Sequence, residues 1–264
     1  MSAVAGIAAR FDLVERIPLL SNGVDTYPFA IARDLTMSTI HFVGGEKGGV
    51  GKSVVARLLA QYFIDHQIPF IAFDSDRSHG ALLRFYADYT TPVLANDYLG
   101  LDHIMEAAVA SEQTILVDLA AQTRDALATW MEESDLLTLA GESGVTVRYW
   151  HVMDSGHDSV ELLRAILEKY DSGMQYTLVL NQLRGDDFSI LRHSGLLEQA
   201  QALGIQTMDL KRLHAGTMNN IDAQSCSFWA AQQANTEHGL GLLERQRLKT
   251  WLQSGYREIA KVMG

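Results

Sequence analysis

The sequence has little of several features that mark particular classes of protein. Among its 264 residues there is one cysteine, Cys226, and there are four prolines. A single thiol cannot form an internal disulfide, and alone it cannot hold a zinc ion or an iron–sulfur cluster. The sequence therefore predicts a reduced, cytoplasmic protein. The scarcity of proline and the lack of low-complexity runs argue against long disordered segments.

Long apolar runs and an excess of positive charge are also missing. Runs such as Gln113–Ala121 are too short to span a bilayer. The segment Met1–Leu20 has no basic start and does not resemble a secretory signal. The formal net charge is -11, which argues against bulk binding of nucleic acid because the phosphate backbone would repel the protein. A local basic patch remains compatible with DNA.

From Ser38 onward, short apolar runs alternate with segments whose apolar residues recur at helical spacing. The runs Ile68–Asp76, Gln113–Asp118 and Gln175–Asn181 are typical of buried strands. Strands that alternate with helices indicate a parallel arrangement. The sequence therefore predicts an α/β fold, namely a doubly wound, mostly parallel sheet flanked by helices.

The same alternation predicts how the chain is organised. No linker interrupts it, so we expect residues 37–264 to form a single domain that ends in helices. Phe188–Gly204 is predicted as one helix, and the sequence after the short strand Ile205–Leu210 as helical to its end. Residues 1–36 do not fit the pattern and are predicted to form a peripheral N-terminal extension.

The stretch GGEKGGVGKS, Gly44–Ser53, lies between a predicted strand and a predicted helix. Glycines allow successive backbone N–H groups to surround a phosphate, and a helix N-terminus favours an anion. Lys52 would reach the β- and γ-phosphates, and the Ser53 hydroxyl would bind Mg²⁺. The common pattern G-x-x-x-x-G-K-[ST] requires glycine where Glu46 stands, so this is a deviant form of the P-loop. The predicted nucleotide-binding residues of the loop are Gly48, Gly49, Val50, Gly51, Lys52, Ser53 and Val54.

Carboxylates follow two of the predicted strands. Asp74 and Asp76 end one strand, and Asp118 ends another. In a doubly wound sheet, ligands bind outside the carboxyl ends of the strands. A carboxylate at this position can hold Mg²⁺, directly or through water, or position the attacking water. Asp74, Asp76 and Asp118 are therefore candidates for these roles, with Ser53 as a further ligand of Mg²⁺. The alternative for these carboxylates is turn and helix-capping chemistry.

Lys47–Ser53 matches the motif KGGxGK[ST], and in this respect the chain resembles the ParA/MinD superfamily of deviant-Walker ATPases. The resemblance extends from about Met37 to Met208 by the order and spacing of motifs. It implies that Lys47 reaches the nucleotide of a partner subunit. It also implies that Asp76 orients the attacking water and that Asp118 is the Walker B acid.

The resemblance also reaches the base-binding side, with departures elsewhere. Asn181 matches a residue that reads adenine, and Arg184 is a candidate contact to the base or ribose. Residues 77–79 replace the Pro, Gln and Gly of the family's first switch segment. The segment DLAAQT, which begins at Asp118, replaces the usual second switch sequence, so Gln122 is a candidate switch residue. These departures affect the expected hydrolysis rate.

The resemblance implies slow, Mg²⁺-dependent hydrolysis of ATP that switches a homodimer. The chain is similar to ParA-like proteins of plasmid partition and mobilisation, so DNA or a DNA-bound protein is the expected partner. One alternative is a membrane- or pole-positioning ATPase like MinD, although a membrane is the less favoured partner. Another is a ligase-type metabolic relative that uses ATP on a small carboxylate.

Two further segments allow more than one interpretation. His151, Asp154, His157 and Asp158 lie close together in sequence and resemble a metal cluster. We favour instead a strand end with a helix cap at Asp154 or Ser155. The amphipathic tail Leu242–Gly264 is predicted to pack on the domain, with a membrane helix or a DNA-facing basic surface as alternatives.

Overall fold

The computed structural model describes residues 38–76, 80–95, 97–111, 113–168, 173–233 and 240–264. The predicted extension over residues 1–36 lies outside this part of the chain, and so do residues 77–79. Seven strands form one sheet in the order β3-β2-β4-β1-β5-β6-β7, and each neighbouring pair is parallel. The strands are β1 Ser38–Gly44, β2 Phe70–Asp74, β3 Thr90–Pro92, β4 Thr114–Asp118, β5 Val145–Met153, β6 Gln175–Asn181 and β7 Gln206–Leu210. This parallel sheet confirms the predicted fold class.

Helices cover both faces of the sheet, as the connections between parallel strands require. Short 3₁₀ turns occupy Ala87–Tyr89 and Gln182–Arg184. The helices of the described residues are α1 Lys52–Asp65, α2 Ala81–Phe85, α3 Tyr98–Ala110, α4 Arg124–Glu133, α5 Leu136–Glu142, α6 His157–Glu168, α7 Ser189–His193, α8 Leu196–Ala202, α9 Ala215–Gln224, α10 Phe228–Gln232 and α11 Leu242–Met263.

The strand order brings the candidate site residues to one edge of the sheet. The order reverses at β1, which lies between β4 and β5. Asp74 of β2 is directly opposite Asp118 of β4, and Val43 of β1 is opposite Asp118 on its other side. Reversal of strand order opens a crevice outside the carboxyl ends of the strands. The loop after β1 and both carboxylates therefore meet at this crevice.

Two of the buried apolar clusters fill the two faces around β1. On one face, α1 and α11 pack against the sheet, and Leu58, Met208 and Trp251 belong to the same cluster. On the other face, α3 and α4 pack against β1 and β4 through residues such as Ile104 and Trp130. Burial of this many large side chains is the main driving force for the fold.

The long C-terminal helix packs along the domain. Leu248, Trp251, Leu252, Ile259 and Val262 of α11 are buried in the cluster that contains α1. Its charged residues occupy the opposite side, as expected for a surface helix. No helix in the described ranges is long and apolar enough to cross a membrane.

The sequence analysis was wrong about some helix boundaries. The single helix predicted over Phe188–Gly204 is divided into α7 and α8. Gly195 has a φ of 72°, and the Ser194 hydroxyl accepts a hydrogen bond from the Leu196 N–H, so the helix cannot continue through this point. The analysis also missed α2, β3 and α5, which have only 5, 3 and 7 residues and too few positions to show a period.

Gly44 provides a test of packing at the end of β1. A Cβ at Gly44 would lie 2.1 Å from the Tyr149 hydroxyl oxygen and 2.5 Å from the attached ring carbon, and Tyr149 is buried. We expect Gly44→Ala to reduce the free energy of unfolding by about 1–3 kcal/mol or more, since a buried ring must move. Gly141→Ala is the control, because no atom lies within 4 Å of its Cβ position in α5. That change should stabilise the helix by about 0.5–1 kcal/mol. Urea unfolding of both variants measures the difference, and equal midpoints would contradict the packing described here.

Candidate nucleotide-binding site

Lys52 is the first residue of α1 and points into the loop that follows β1. It is buried, and its Nζ lies 3.5 Å from the carbonyl oxygen of Lys47. Burial lowers its pKa from the usual value, while the nearby carboxylates of Asp118, Glu46 and Asp76 act in the opposite direction. A buried cation among carboxylates at a helix N-terminus is suited to binding phosphate together with a metal ion. Glu46, noted in the sequence only as a missing glycine, is therefore part of the site.

Asn181 holds the phosphate loop against the end of β6. Its side-chain amide donates a hydrogen bond of 2.8 Å to the Val50 carbonyl, and its side-chain oxygen accepts one from the Leu183 N–H at 3.2 Å. A Cβ on residue 51 would lie 2.3 Å from this amide nitrogen, and Gly51 has a φ of 92°. Only glycine satisfies both conditions without strain. The contact of Asn181 with adenine stays a prediction.

A cavity of about 160 Å³ lies beside Asn181. Its walls combine apolar side chains with a few polar groups, which is typical of a site for a planar base. No residue of the segment after β7 was predicted from the sequence to contact the nucleotide. The cavity is lined by Val54, Asn181, Leu183, Leu210, Lys211, Arg212, Leu213, Ala215, Met218, Asn219 and Trp251.

Asp118 is a buried carboxylate that lacks an adequate partner. Neither oxygen accepts a hydrogen bond from the residues that the structure describes, although the Ser53 hydroxyl is near enough to favour the charged form. Burial raises the pKa of Asp118 to about 7, helped by the Asp74 carboxylate and opposed by Ser53 and Lys52. A buried, unpartnered carboxylate beside a hydroxyl fits a hard cation such as Mg²⁺. Ser53 and Asp118 are therefore suited to hold the predicted metal.

Asp74 and Asp76 have different surroundings. The Asp74 carboxylate is buried and accepts hydrogen bonds from the backbone N–H groups of Asp76, at 3.0 Å, and of Leu83, at 3.1 Å. These backbone contacts are those of the capping alternative considered for Asp74, and its predicted role as a ligand of Mg²⁺ stays a prediction. Asp76 is partly exposed and lies close enough to Lys52 and Asp118 to influence the pKa of both. Its position is compatible with the predicted action on water.

The Lys47 side chain extends to the carboxylates that follow β5. Its Nζ lies 3.5 Å from an oxygen of Asp154 and 3.5 Å from an oxygen of Asp158, just beyond the end of β5. The side chain of Asp154 is 1% exposed. Burial acts to raise the pKa of Asp154, but hydrogen bonds from Ser159 and Gly156 and the charge of Lys47 bring it below the usual value. A helix cap at Asp154 or Ser155 was favoured from the sequence, and the ion pair of Asp154 with Lys47 was missed.

Other candidate residues lie around these groups. Gln122 follows β4 with a φ of 63°, in the left-handed region that a residue other than glycine seldom adopts. His151 is buried, and burial, followed by the charges of Arg124 and Lys52, lowers its pKa to about 4. Its ring nitrogens have no hydrogen-bond partner, and no group of three metal-binding side chains occurs within the described ranges.

The chain resembles a known protein over about half of its length. No family model matches the chain. Protein MobD from Acidithiobacillus ferrooxidans is 25% identical over 135 residues, which cover 49% of this chain and 58% of that protein. The chain thus matches little more than half the length of MobD.

Solved structures resemble the chain over most of its length. The MinD cell division protein of Aquifex aeolicus has a TM-score of 0.51 and 12% identity, and the match covers 85% of this chain and 97% of that one. The MinC:MinD cell division protein complex of the same organism gives 0.50 and 9%, with 84% and 96% covered. The fold is that of MinD. Identity this low is evidence about the fold alone.

The pKa of Asp118 predicts a specific dependence of stability on pH. Because its pKa in the folded protein, about 7, is above the ordinary value of 3.8, its contribution to stability is full below about pH 4 and is lost as the pH rises through 7. Asp118→Asn should remove this loss, which we expect to be on the order of a few kcal/mol. Urea unfolding at pH 4.5 and at pH 7.5, without nucleotide or metal, measures it. A stability difference between variant and wild type that is the same at both pH values would contradict the prediction.

Proposed function

We propose that the protein is an ATP-dependent switch of the ParA/MinD type, which binds Mg-ATP, hydrolyses it slowly and dimerises when ATP is bound. The observation that carries the proposal is that the two lysines of one phosphate loop face different ways. Lys52 is buried inside the loop, whereas Lys47 is held outside it by two carboxylates. One lysine is thus available to the nucleotide in its own subunit and the other to a nucleotide elsewhere.

The loop and its neighbours account for binding and hydrolysis. The backbone N–H groups at the N-terminus of α1, together with Lys52, would bind the β- and γ-phosphates. Ser53 and Asp118 would hold Mg²⁺, which neutralises charge on the phosphates. Asp76 would orient the attacking water. Catalysis of this kind depends on positioning and on charge stabilisation.

The ion pairs of Lys47 support the dimer switch. Lys47 is 23% exposed and the side chain of Asp158 is 76% exposed, so this part of the contact lies near solvent. Exposed ion pairs are weak. The phosphates of a nucleotide in a second subunit carry more charge than one carboxylate and would compete for the same ammonium group. Hydrolysis and loss of the γ-phosphate would weaken this attraction and release the dimer.

A basic groove, which we define by Lys211, Arg212, His214, Arg247 and Arg257, supports DNA as the partner. These residues line a cavity of about 390 Å³ between the segment after β7 and α11. No carboxylate is among its described lining residues, although the whole chain has a net charge of -11. A local cluster of this kind fits a phosphate backbone. We propose that the switch acts on DNA or on a DNA-bound protein, in plasmid partition or mobilisation.

A second candidate is a membrane- or pole-positioning ATPase. Leu242 and Leu243, at the start of α11, are 74% and 66% exposed. They precede Arg245 and Arg247, and exposed leucines beside arginines are typical of a helix that lies on a lipid surface. The MinD-like fold is compatible with this function.

Replacing Lys52 and replacing Lys47 should have different effects on ATP binding and dimerisation. Lys52→Ala is expected to abolish ATP binding, because the loop then loses its buried cation for the β- and γ-phosphates. Lys47→Ala should bind ATP within a few-fold of wild type and yet remain monomeric. Lys249→Ala, an exposed change on α11, is the control. Calorimetry measures binding, and sedimentation with and without ATP measures dimerisation. If Lys47→Ala dimerises with ATP as wild type does, the contact across the dimer is wrong.

The basic groove should determine which partner is bound. Arg247→Glu combined with Arg257→Glu is expected to weaken ATP-dependent binding of nonspecific duplex DNA at low salt by about tenfold or more. A control with the same change of net charge is Arg164→Glu combined with Arg192→Glu, at exposed positions on α6 and α7. Equal loss in both variants would mean that only net charge matters. ATP-dependent flotation with anionic liposomes, without any DNA binding by wild type, would favour the membrane function.

A further inference from the structure

Arg184 lies on the turn after β6, and its position differs from the one expected for a base contact. The 3₁₀ turn Gln182–Arg184 follows Asn181 and ends at Gly185, which has a φ of 140°. Leu183, in the middle of this turn, lines the cavity beside Asn181. Arg184 is not among the described residues that line it. The turn therefore directs Leu183 into the base cavity and Arg184 elsewhere.

The Arg184 guanidinium lies over the phosphate loop. One of its terminal nitrogens is 3.1 Å from the position that a Cβ on Gly49 would take, so the guanidinium lies beside the loop at Gly49. Its Nε is 3.5 Å from Oδ2 of Asp154. The same carboxylate oxygen is 3.5 Å from the Nζ of Lys47. Arg184 and Lys47 thus share one buried carboxylate at the edge of the loop.

Two cations face the one buried carboxylate at this edge, Asp154. The second carboxylate, Asp158, contacts Lys47 and is mostly exposed. The Arg184 side chain is 53% exposed, and Asp154 is its only ion-pair partner among the described residues. A guanidinium presents two parallel donors to a phosphate, and it can turn towards the loop with little desolvation. The arrangement is suited to a phosphate chain rather than to an uncharged base.

We propose that Arg184 binds the phosphate chain of the nucleotide held by its own subunit, and not the base or the ribose. The inference rests on the proposed function, since it requires that the loop binds a nucleotide. It differs from the expectation from the sequence, in which Arg184 was a candidate contact to the base or the ribose. Arg184 acts as a second cation at the edge of the phosphate site and favours nucleoside di- and triphosphates over the nucleoside.

The test compares ADP with adenosine, because the two differ only in the phosphates. ADP also lacks the γ-phosphate, which keeps the measurement within one subunit. Calorimetry with Mg-ADP gives the affinity for ADP, and competition against ADP gives that for adenosine. Arg184→Gln should weaken ADP binding by about 10- to 100-fold and leave adenosine binding unchanged. Arg184→Lys, which keeps the charge but loses the paired donors, should fall between the two, and the effect on ADP should shrink as salt is raised.

Other outcomes overturn the proposal. Equal loss for ADP and adenosine would place Arg184 at the base or ribose, and no loss for either would remove it from the site. Arg192→Gln, an exposed arginine paired with Asp187 on α7, is the control and should leave both affinities unchanged. If melting of the nucleotide-free protein shows that Arg184→Gln is unfolded, the ADP-to-adenosine ratio of Arg184→Lys decides. If wild type itself fails to bind ADP, the proposed function fails. If wild type binds ADP and Arg184→Gln binds it equally well, only the role of Arg184 fails.

Discussion

The hydrogen bond between the Asn181 amide and the Val50 carbonyl is the contact on which the site depends. It joins the phosphate loop to the end of β6, across 131 positions of sequence. A buried amide left without this bond would cost about 1–3 kcal/mol. The Asn181 amide lies so close to Gly51 that residue 51 cannot carry a side chain. Gly51 in turn sets the start of α1 and the position of Lys52. One polar contact thus fixes both the phosphate loop and the wall of the neighbouring base cavity.

Around that fixed loop, charged groups are arranged differently on two sides. On the side of β4, burial raises the pKa of Asp118, and neither carboxylate oxygen accepts a hydrogen bond from the described residues. On the side of β5, Lys47 and Arg184 share the buried carboxylate of Asp154, and Lys47 also contacts the exposed Asp158. The first side favours a cation, and the cations of the second side can contact an anion. A metal–phosphate complex supplies both, and the buried Asp118 without a partner reduces the stability of the empty protein.

The basic groove is connected to the base cavity through a shared wall. Lys211, Arg212, Leu213 and Trp251 line both spaces, and the Trp251 indole donates a hydrogen bond of 2.6 Å to the Lys211 carbonyl. Trp251 is buried in the core and ties the segment after β7 to α11. A movement of these shared residues would therefore change the shape of both cavities. This provides a short physical connection between nucleotide and surface, within one packed unit.

The sequence by itself determined the features that depend on neighbouring residues. Strand-like runs alternating with helical ones identified the parallel fold, and the spacing in Lys47–Ser53 predicted a phosphate loop, because backbone geometry at such sites is local. The strands that end in Asp74, Asp118 and Asn181 were also located correctly. The break at Gly195 was missed, since the apolar pattern continues on both sides of it.

Only the tertiary structure decided which distant groups meet. The order of the strands, the ion pairs of Lys47 with Asp154 and Asp158, and the position of Arg184 over the loop all depend on contacts far apart in sequence. The base cavity formed by residues 211–213 and Trp251 has no local signature either. Residue types and their spacing predict the secondary structure and the chemistry of each segment. The packing of the sheet determines which side chains meet at one edge of it.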